Sequence, residues 1–281
     1  MKNRDDDSSE LPAAAPARDR AGGQVQSLGR ALTLLEHLAR RPDGRSLSDL
    51  AAAAELAPST VHRLLKSLES RGFAAVDADT GLWCVGIAAF TVGNAFLRGR
   101  SYIAVAQPHM RSLAETTGET INLAVPDHGA ALYVAQIESQ HMMRVFARMG
   151  TWVPLHCSGV GKAILIGLSA EDRSAMIRSR IRLTRLTDRT LTEPEALARD
   201  LAAAEARGYA IDDGEHAVGL RCVAAPIFDN AGMPLAAVSV SGPAARVTDE
   251  RVADMGAAVA ATAASITARL GGRRGGGHSG V

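Results

Sequence analysis

Apolar positions recur at helical spacing in the first quarter of the chain. Leu28, Ala31, Leu32, Leu35 and Leu38 fall at i, i+3, i+4, i+7 and i+10. That spacing predicts one apolar face of a helix, with Ser27 as its N-cap. The pattern stops in Arg40-Arg41-Pro42-Asp43-Gly44, which has turn chemistry. A short second helix is expected from Ser46, where Ser46 and Asp49 resemble a capping box and Leu47, Leu50, Ala51 and Ala54 form the apolar face. A third starts at Pro58-Ser59-Thr60. Its inner face is Val61, Leu64, Leu65 and Leu68; its outer face carries Thr60, His62, Arg63, Lys66 and Ser67. Phe73-Ala74-Ala75-Val76 and Leu82-Trp83-Cys84-Val85 then flank a Gly-containing turn, which reads as a hairpin. Two short helices with a basic outer face on the second form a helix-turn-helix, and the hairpin after it is a wing.

The periodicity changes further on. Residues 87–97 are apolar with little charge and are expected to form a linker helix. A helical pattern from Gln107 stops at Thr117-Gly118. Ile121-Asn122-Leu123-Ala124-Val125 and Ala131-Leu132-Tyr133-Val134-Ala135 flank a Pro-Asp-His-Gly turn, and a second such pair spans 223–228 and 235–240. Helices are expected over 193–207 and 248–269. The fold class is therefore mixed α/β: a winged helix-turn-helix domain over 24–86, a linker helix over 87–104 and an α+β sheet domain over 105–270. Residues 1–23 and 271–281, rich in Pro, Gly and charge, are expected as tails.

Length and charge sharpen this picture. A chain of 281 residues accommodates two domains. With 31 Lys and Arg against 30 Asp and Glu, a wholly basic nucleic-acid binder is excluded, whereas a local basic face is not. Residues 24–97 hold seven cations and seven acids, yet 59–71 carries Arg63, Lys66 and Arg71 against Glu69 alone. The residues expected to face double-stranded operator DNA are Gln26, Ser27, Ser48, Ser59, Thr60, His62, Arg63, Lys66 and Thr80. At 4%, aromatic content argues against a single-strand stacking platform. Three cysteines without paired spacing, no long apolar run and no signal peptide point to a cytoplasmic protein with no membrane partner.

Candidate ligand chemistry lies in the second half. His156-Cys157-Ser158-Gly159-Val160-Gly161-Lys162 enters an apolar run, so backbone N–H groups at a helix N-terminus are offered to a small carboxylate. It is not a Walker A loop, because Ala163 follows the Gly-Lys pair. Ser239 and Ser241, two apart on a strand, share a face; a bound oxyanion or neighbouring backbone and water would satisfy them. The enzyme alternative is a small-molecule enzyme with a helix-turn-helix appendage, using Cys222 or a metal near His216. It is weaker. Cys157 and Cys222 read as small buried hydrophobes, and the spacing of Asp212, Asp213, Glu215, His216 and Cys222 fits no standard metal loop. Lys162 reads as a helix-surface cation. No catalytic residue, metal or cofactor is expected.

The stretches VQSLGRALTLLEHLA from Val25, SLSDLAAAAELAPSTVHRLLKSLESRGF from Ser46 and DADTGLWCVG in the wing resemble the IclR family of bacterial transcriptional regulators. So do TGETINLAV, VPLHCSGVGKAIL, RGYAIDDGEHAVGLRCVAAPIFD and PLAAVSVSGP in the second half. The resemblance covers 25–270 and implies a GAF-like effector domain and assembly as a homodimer or a dimer of dimers (a homotetramer) on DNA. It also implies an acid bound by the amides of Gly159, Val160 and Gly161 with the side chains of Asp212, Cys222, Ser239 and Ser241. Met142, Met143, Val145, Phe146, Met149 and Trp152 precede the loop. As pocket walls, with Met143, Met149 and Trp152 foremost, they favour a small ligand, with glyoxylate first.

Overall fold

The computed structural model describes residues 25–41, 43–98, 101–141 and 148–274. The expected tail over 1–23 and the wall residues Met142, Met143, Val145 and Phe146 lie outside them. The chain divides into two compact units, one ending at Arg100 and the other running on from Ser101. No helix among the described residues is long and apolar enough to cross a membrane.

The first unit contains α1 (Gln26–Ala39), α2 (Leu47–Ala53), α3 (Pro58–Glu69), β1 (Ala74–Val76), β2 (Trp83–Val85) and α4 (Ile87–Arg98). Leu34 and Leu38 of α1, Leu50 and Ala51 of α2, Val61 and Leu65 of α3, and Ala74 and Trp83 of the wing make one core. Two expectations for α1 are corrected. Ser27 lies inside the helix, whose N-cap position is Val25 with no side-chain bond. Leu28 and Leu32 do not pack inward but remain 59% and 50% exposed, because α1 is apolar on more than one side and Leu34 takes the core. Ser46 caps α2 as expected, its Oγ accepting from Asp49 N at 3.1 Å.

The turn between α2 and α3 is set by backbone geometry. Glu55 adopts φ +53°. Its N–H donates to Ala52 O at 3.3 Å, and Leu56 N–H donates to Ala51 O at 3.0 Å. These two bonds close α2 in a Schellman motif, with a glutamate where glycine is usual. In the wing, Asp77 Oδ1 accepts from Asp79 N, Thr80 N and Thr80 Oγ1. Arg45 exchanges two backbone hydrogen bonds with Trp83, adding a third segment to the hairpin.

The second unit contains α5 (Ser101–Thr117), β3 (Thr120–Asp127), β4 (Ala130–Ile137), β5 (Trp152–Pro154), α6 (Gly159–Gly167), α7 (Ala170–Arg180), α8 (Pro194–Arg207), β6 (Ala210–Asp213), β7 (Leu220–Phe228), β8 (Pro234–Pro243) and α9 (Asp249–Arg269). Both hairpins appear as expected, whereas β5, β6 and α7 carry no periodic signal strong enough to read. The sheet is antiparallel throughout, in the order β5-β4-β3-β8-β7-β6. Strand alternation gives it two apolar faces. Ile121, Leu123, Val223, Ala225, Val238 and Val240 meet α5 and α9, while Ala124, Ala210, Ala224 and Ala237 meet α6 and α8. Residues 271–274 of the expected C-terminal tail are described, and 275–281 lie outside the described residues. Gly271 ends α9 at φ +69°, Gly272 N donates to Thr267 O, and Arg273 N donates to Asp229 O at 3.1 Å.

A left-handed residue other than glycine costs about 1–2 kcal/mol, part of which glycine returns as unfolded-state entropy. Glu55→Gly is therefore expected to stabilise the first unit by about 0.5–1 kcal/mol, read as a raised denaturation midpoint of that unit. A lowered midpoint would show that the Glu55 side chain contributes more than its backbone strain removes.

Candidate functional site

The outer face of α3 stands open. Ser59, His62, Arg63 and Lys66 are exposed, and Thr60 is half-buried at its start. The positive charge is smaller than the residue count suggests. Lys66 Nζ lies 2.8 Å from Glu69 Oε2 and 5.7 Å from the centre of the Trp83 ring. An exposed pair of this kind contributes little to stability and yields readily to a phosphate. Arg63 makes no ion pair among the described residues. Gln26 and Ser27 are exposed at the start of α1. Ser48 hydrogen-bonds the Ser46 hydroxyl at 2.9 Å. The Thr80 hydroxyl donates to Asp77 at 2.7 Å, so its first role is to build the wing turn.

In the second unit, the face of the sheet beneath α6 carries a row of polar groups. Register pairs Asn122 with Ser239, Ser241 with Cys222, and Cys222 with Asp212. All five are buried. The Ser239 and Ser241 hydroxyls are 3.3 Å apart, and the Cys222 thiol hydrogen-bonds Ser241. Asn122 Nδ2 donates to Ser241 Oγ at 3.2 Å, and Gln136 Nε2 donates to Asn122 Oδ1 at 2.8 Å. Asn122 and Gln136 were not identified from sequence. The signal was a polar residue in the apolar run ILAV, uninterpretable until β3 is known to lie beside β8.

The start of α6 sits directly on this row. A Cβ at Gly159 would lie 3.0 Å from Cys222 Cβ, and one at Gly161 would lie 2.5 Å from Leu155 Cα. Ser158 caps the helix, its Oγ accepting from Gly161 N at 3.1 Å. Of the three expected amides, Gly161 is thus already engaged. Gly159 and Val160 remain as first-turn N–H groups without an intrahelical acceptor. The positive end of α6 therefore faces Cys222 and its neighbours Ser241 and Asp212.

Lys162 is not a surface cation. Its side chain is wholly buried, with Nζ 2.9 Å from Asp200 Oδ2 and 2.5 Å from Glu215 Oε1. Burial lowers its pKa, but the two carboxylates outweigh this and hold it above the usual lysine range. The loop after β6 is tied down around this cation. Asp212 Oδ1 accepts from Glu215 N and His216 N, while the Thr190 hydroxyl donates to Glu215 O at 2.7 Å. The arrangement does not serve nucleophilic chemistry. Burial pushes both the Cys157 and Cys222 thiols far up, and His156 is buried with its pKa lowered by desolvation. No cluster of three potential metal ligands occurs among the described residues.

Met149 and Trp152 do not wall this site. Met149 is 66% exposed. Val153 points to the α6 side, so alternation turns Trp152 to the other side, where its indole N–H donates to Asp127 Oδ2 at 2.7 Å. A hollow of about 620 Å³ lies on the outer side of the same loop, lined in part by Arg189, Asp213, Arg221 and Asp249. Both arginines are already paired with these carboxylates, so it holds no free cation for an acid.

The family described as bacterial transcriptional regulator IclR C-terminal matches residues 94–268, and the IclR helix-turn-helix domain matches residues 27–78. The transcriptional repressor IclR of Escherichia coli (strain K12) is 44% identical over 265 residues, covering 94% of this chain and 96% of that protein. The HTH-type transcriptional regulator BhcR of Paracoccus denitrificans (strain Pd 1222) is 43% identical over 257 residues, covering 89% and 91%. Among solved structures, the Thermotoga maritima IclR matches with a TM-score of 0.74 at 28% identity, covering 88% of this chain and all of that one. An IclR homolog from Microbacterium hydrocarbonoxydans, complexed with 4-hydroxybenzoate, matches with a TM-score of 0.74 at 26% identity, covering 87% and 98%.

Replacing Lys162 by Met would leave Glu215 and Asp200 beside an apolar side chain. Breaking a buried ion pair from one side costs about 3–5 kcal/mol, so Lys162→Met is expected to lower the thermal midpoint of the second unit strongly. An unchanged midpoint would mean that water reaches this cluster.

Proposed function

Because the chain belongs to the IclR family of bacterial transcriptional regulators, we propose that a small 2-oxo acid, glyoxylate first, controls its binding to operator DNA. The chain is a DNA-binding regulator and not an enzyme. The observation that carries the effector reading is the closed apposition of the α6 N-terminus with Cys222, in one buried row with Ser241 and Asp212. The free amides of Gly159 and Val160 and the hydroxyls of Ser239 and Ser241 suit a carboxylate. The close approach of α6 to β7, with no Cβ between them at Gly159, supports a short acid. That the homolog above binds 4-hydroxybenzoate supports a carboxylate as the common ligand group.

Recognition of DNA is assigned to α3 in the major groove, with Arg63 as the base-reading cation, and to Thr80 and its turn at the backbone. The protein acts in the cytoplasm as a homodimer or a dimer of dimers. The exposed Leu28 and Leu32 on α1 and Ile87, Phe90 and Val92 on α4 support self-association, because such side chains in one small unit call for a partner. Acid binding favours one arrangement of the paired units, and operator affinity changes by the ratio of acid affinities in the two arrangements.

Arg63→Ala is expected to weaken binding to the operator by about tenfold or more, since a bidentate base contact contributes about 1–3 kcal/mol. Mobility shifts on operator and scrambled DNA read this; equal loss on both would move Arg63 to the phosphates. Ser239→Ala with Ser241→Ala is expected to leave operator affinity intact and abolish its response to glyoxylate. A retained response would place the effector elsewhere.

A further inference from the structure

Asp212 is almost completely buried, and only one of its oxygens is satisfied. Oδ1 accepts two backbone N–H bonds, at 2.8 Å from Glu215 and 3.2 Å from His216, whereas Oδ2 is buried without a hydrogen-bond partner. Asp212 shares a face of β6 with Ala210, on the α6 side, and pairs in register with Cys222. Oδ2 is thus an unpartnered acceptor in the row that faces the α6 amides.

The charges around Asp212 come from every element packed against it. α6 contributes Lys162; the loop after β6 contributes Glu215 and, through its backbone, His216. The segment before α6, β7 and β4 contribute Cys157, Cys222 and Tyr133, all kept neutral by burial. Lys162 is already shared between Asp200 and Glu215. The enclosure therefore holds one cation against three carboxyl groups before any ligand arrives. An entering carboxylate adds a further negative charge in a site with little screening.

We propose that the acid is bound together with one proton, taken up by Asp212 Oδ2, which then donates a hydrogen bond to the 2-oxygen of the ligand. This rests on the reading of the site as an acid pocket. The proton comes from solvent and no bond of the ligand breaks. The ligand carboxylate takes the Gly159 and Val160 amides and the serine hydroxyls. Asp212 thereby selects for an acceptor at C2, because a plain carboxylate leaves its O–H unpaired. Burial first, and Glu215 second, push the Asp212 carboxyl up to about 7 in the unliganded chain. A bound anion raises it further. Proton uptake is then small at pH 6, about half a proton per site at pH 7 and close to one at pH 8. Affinity is level below pH 7 and falls up to about tenfold per unit above it.

The test is titration calorimetry of the full-length protein with glyoxylate, pyruvate and propionate at pH 8, in buffers of different ionisation enthalpy. Near-stoichiometric uptake is expected with pyruvate and glyoxylate, and propionate is expected to bind at least about tenfold more weakly. Asp212→Asn is expected to abolish the uptake, whatever its affinity. A pH series of wild-type pyruvate affinity makes the same test without a variant. Binding with no uptake overturns the inference and leaves the acid pocket standing; this is the outcome if hydrated glyoxylate donates to an ionised Asp212. Propionate binding as tightly as pyruvate also overturns it. Failure of both oxo acids to bind overturns the pocket reading and the inference together.

Discussion

The second unit depends on one close approach, the first turn of α6 lying on β7 with no side chain between them. Gly159 permits it at Cys222 and Gly161 permits it at Leu155. A methyl group at either position would press on strand β7 or on the loop before the helix. The approach places the positive end of a helix dipole over a buried polar row of the sheet. Beneath it lie polar groups from four strands: Asn122 of β3, Cys222 of β7, Ser239 and Ser241 of β8, and Asp212 of β6.

The same packing explains the buried lysine. Lys162 leaves α6 one turn after Gly159, on the side that meets α8 and the loop after β6, and it cannot reach solvent. Its charge is tolerable only between Asp200 and Glu215. That pairing fixes the Glu215 loop, whose backbone N–H groups in turn orient Asp212. Local electrostatics therefore runs from the core of α6 through Lys162 and Glu215 to Asp212 in the buried polar row. Thr187 and Thr190 hold the loop from its other side through the Gly214 and Glu215 carbonyls.

The first unit applies the opposite logic. The polar side chains of α3 project outward from a small core, and Trp83 ties the wing to α3 from within while Lys66 lies over its ring. The exposed apolar residues of α1 and α4 share this outward disposition. A single copy of the unit leaves them in water.

Much of this was legible in the chain. The three helices of the first unit, the wing and both hairpins of the second follow from apolar spacing and turn residues, because those signals are local. The cap at Ser46 and the glycine-bearing start of α6 were equally legible. Short elements such as β5 and β6 were not, since three or four residues carry no period. Nor could spacing decide which apolar face of α1 is buried, because Leu28 and Leu32 keep the same period as Leu38. One charge was misread. Lys162 is buried between Asp200 and Glu215 rather than solvated. Residue type and spacing by themselves determined that a helix-turn-helix unit precedes a sheet unit, and which strand serines share a face. Only the tertiary structure decided that Asn122 reaches Ser241, that Trp152 faces away and that Asp212 keeps one oxygen unpaired. Those relations join residues up to 119 positions apart, and no local period encodes them.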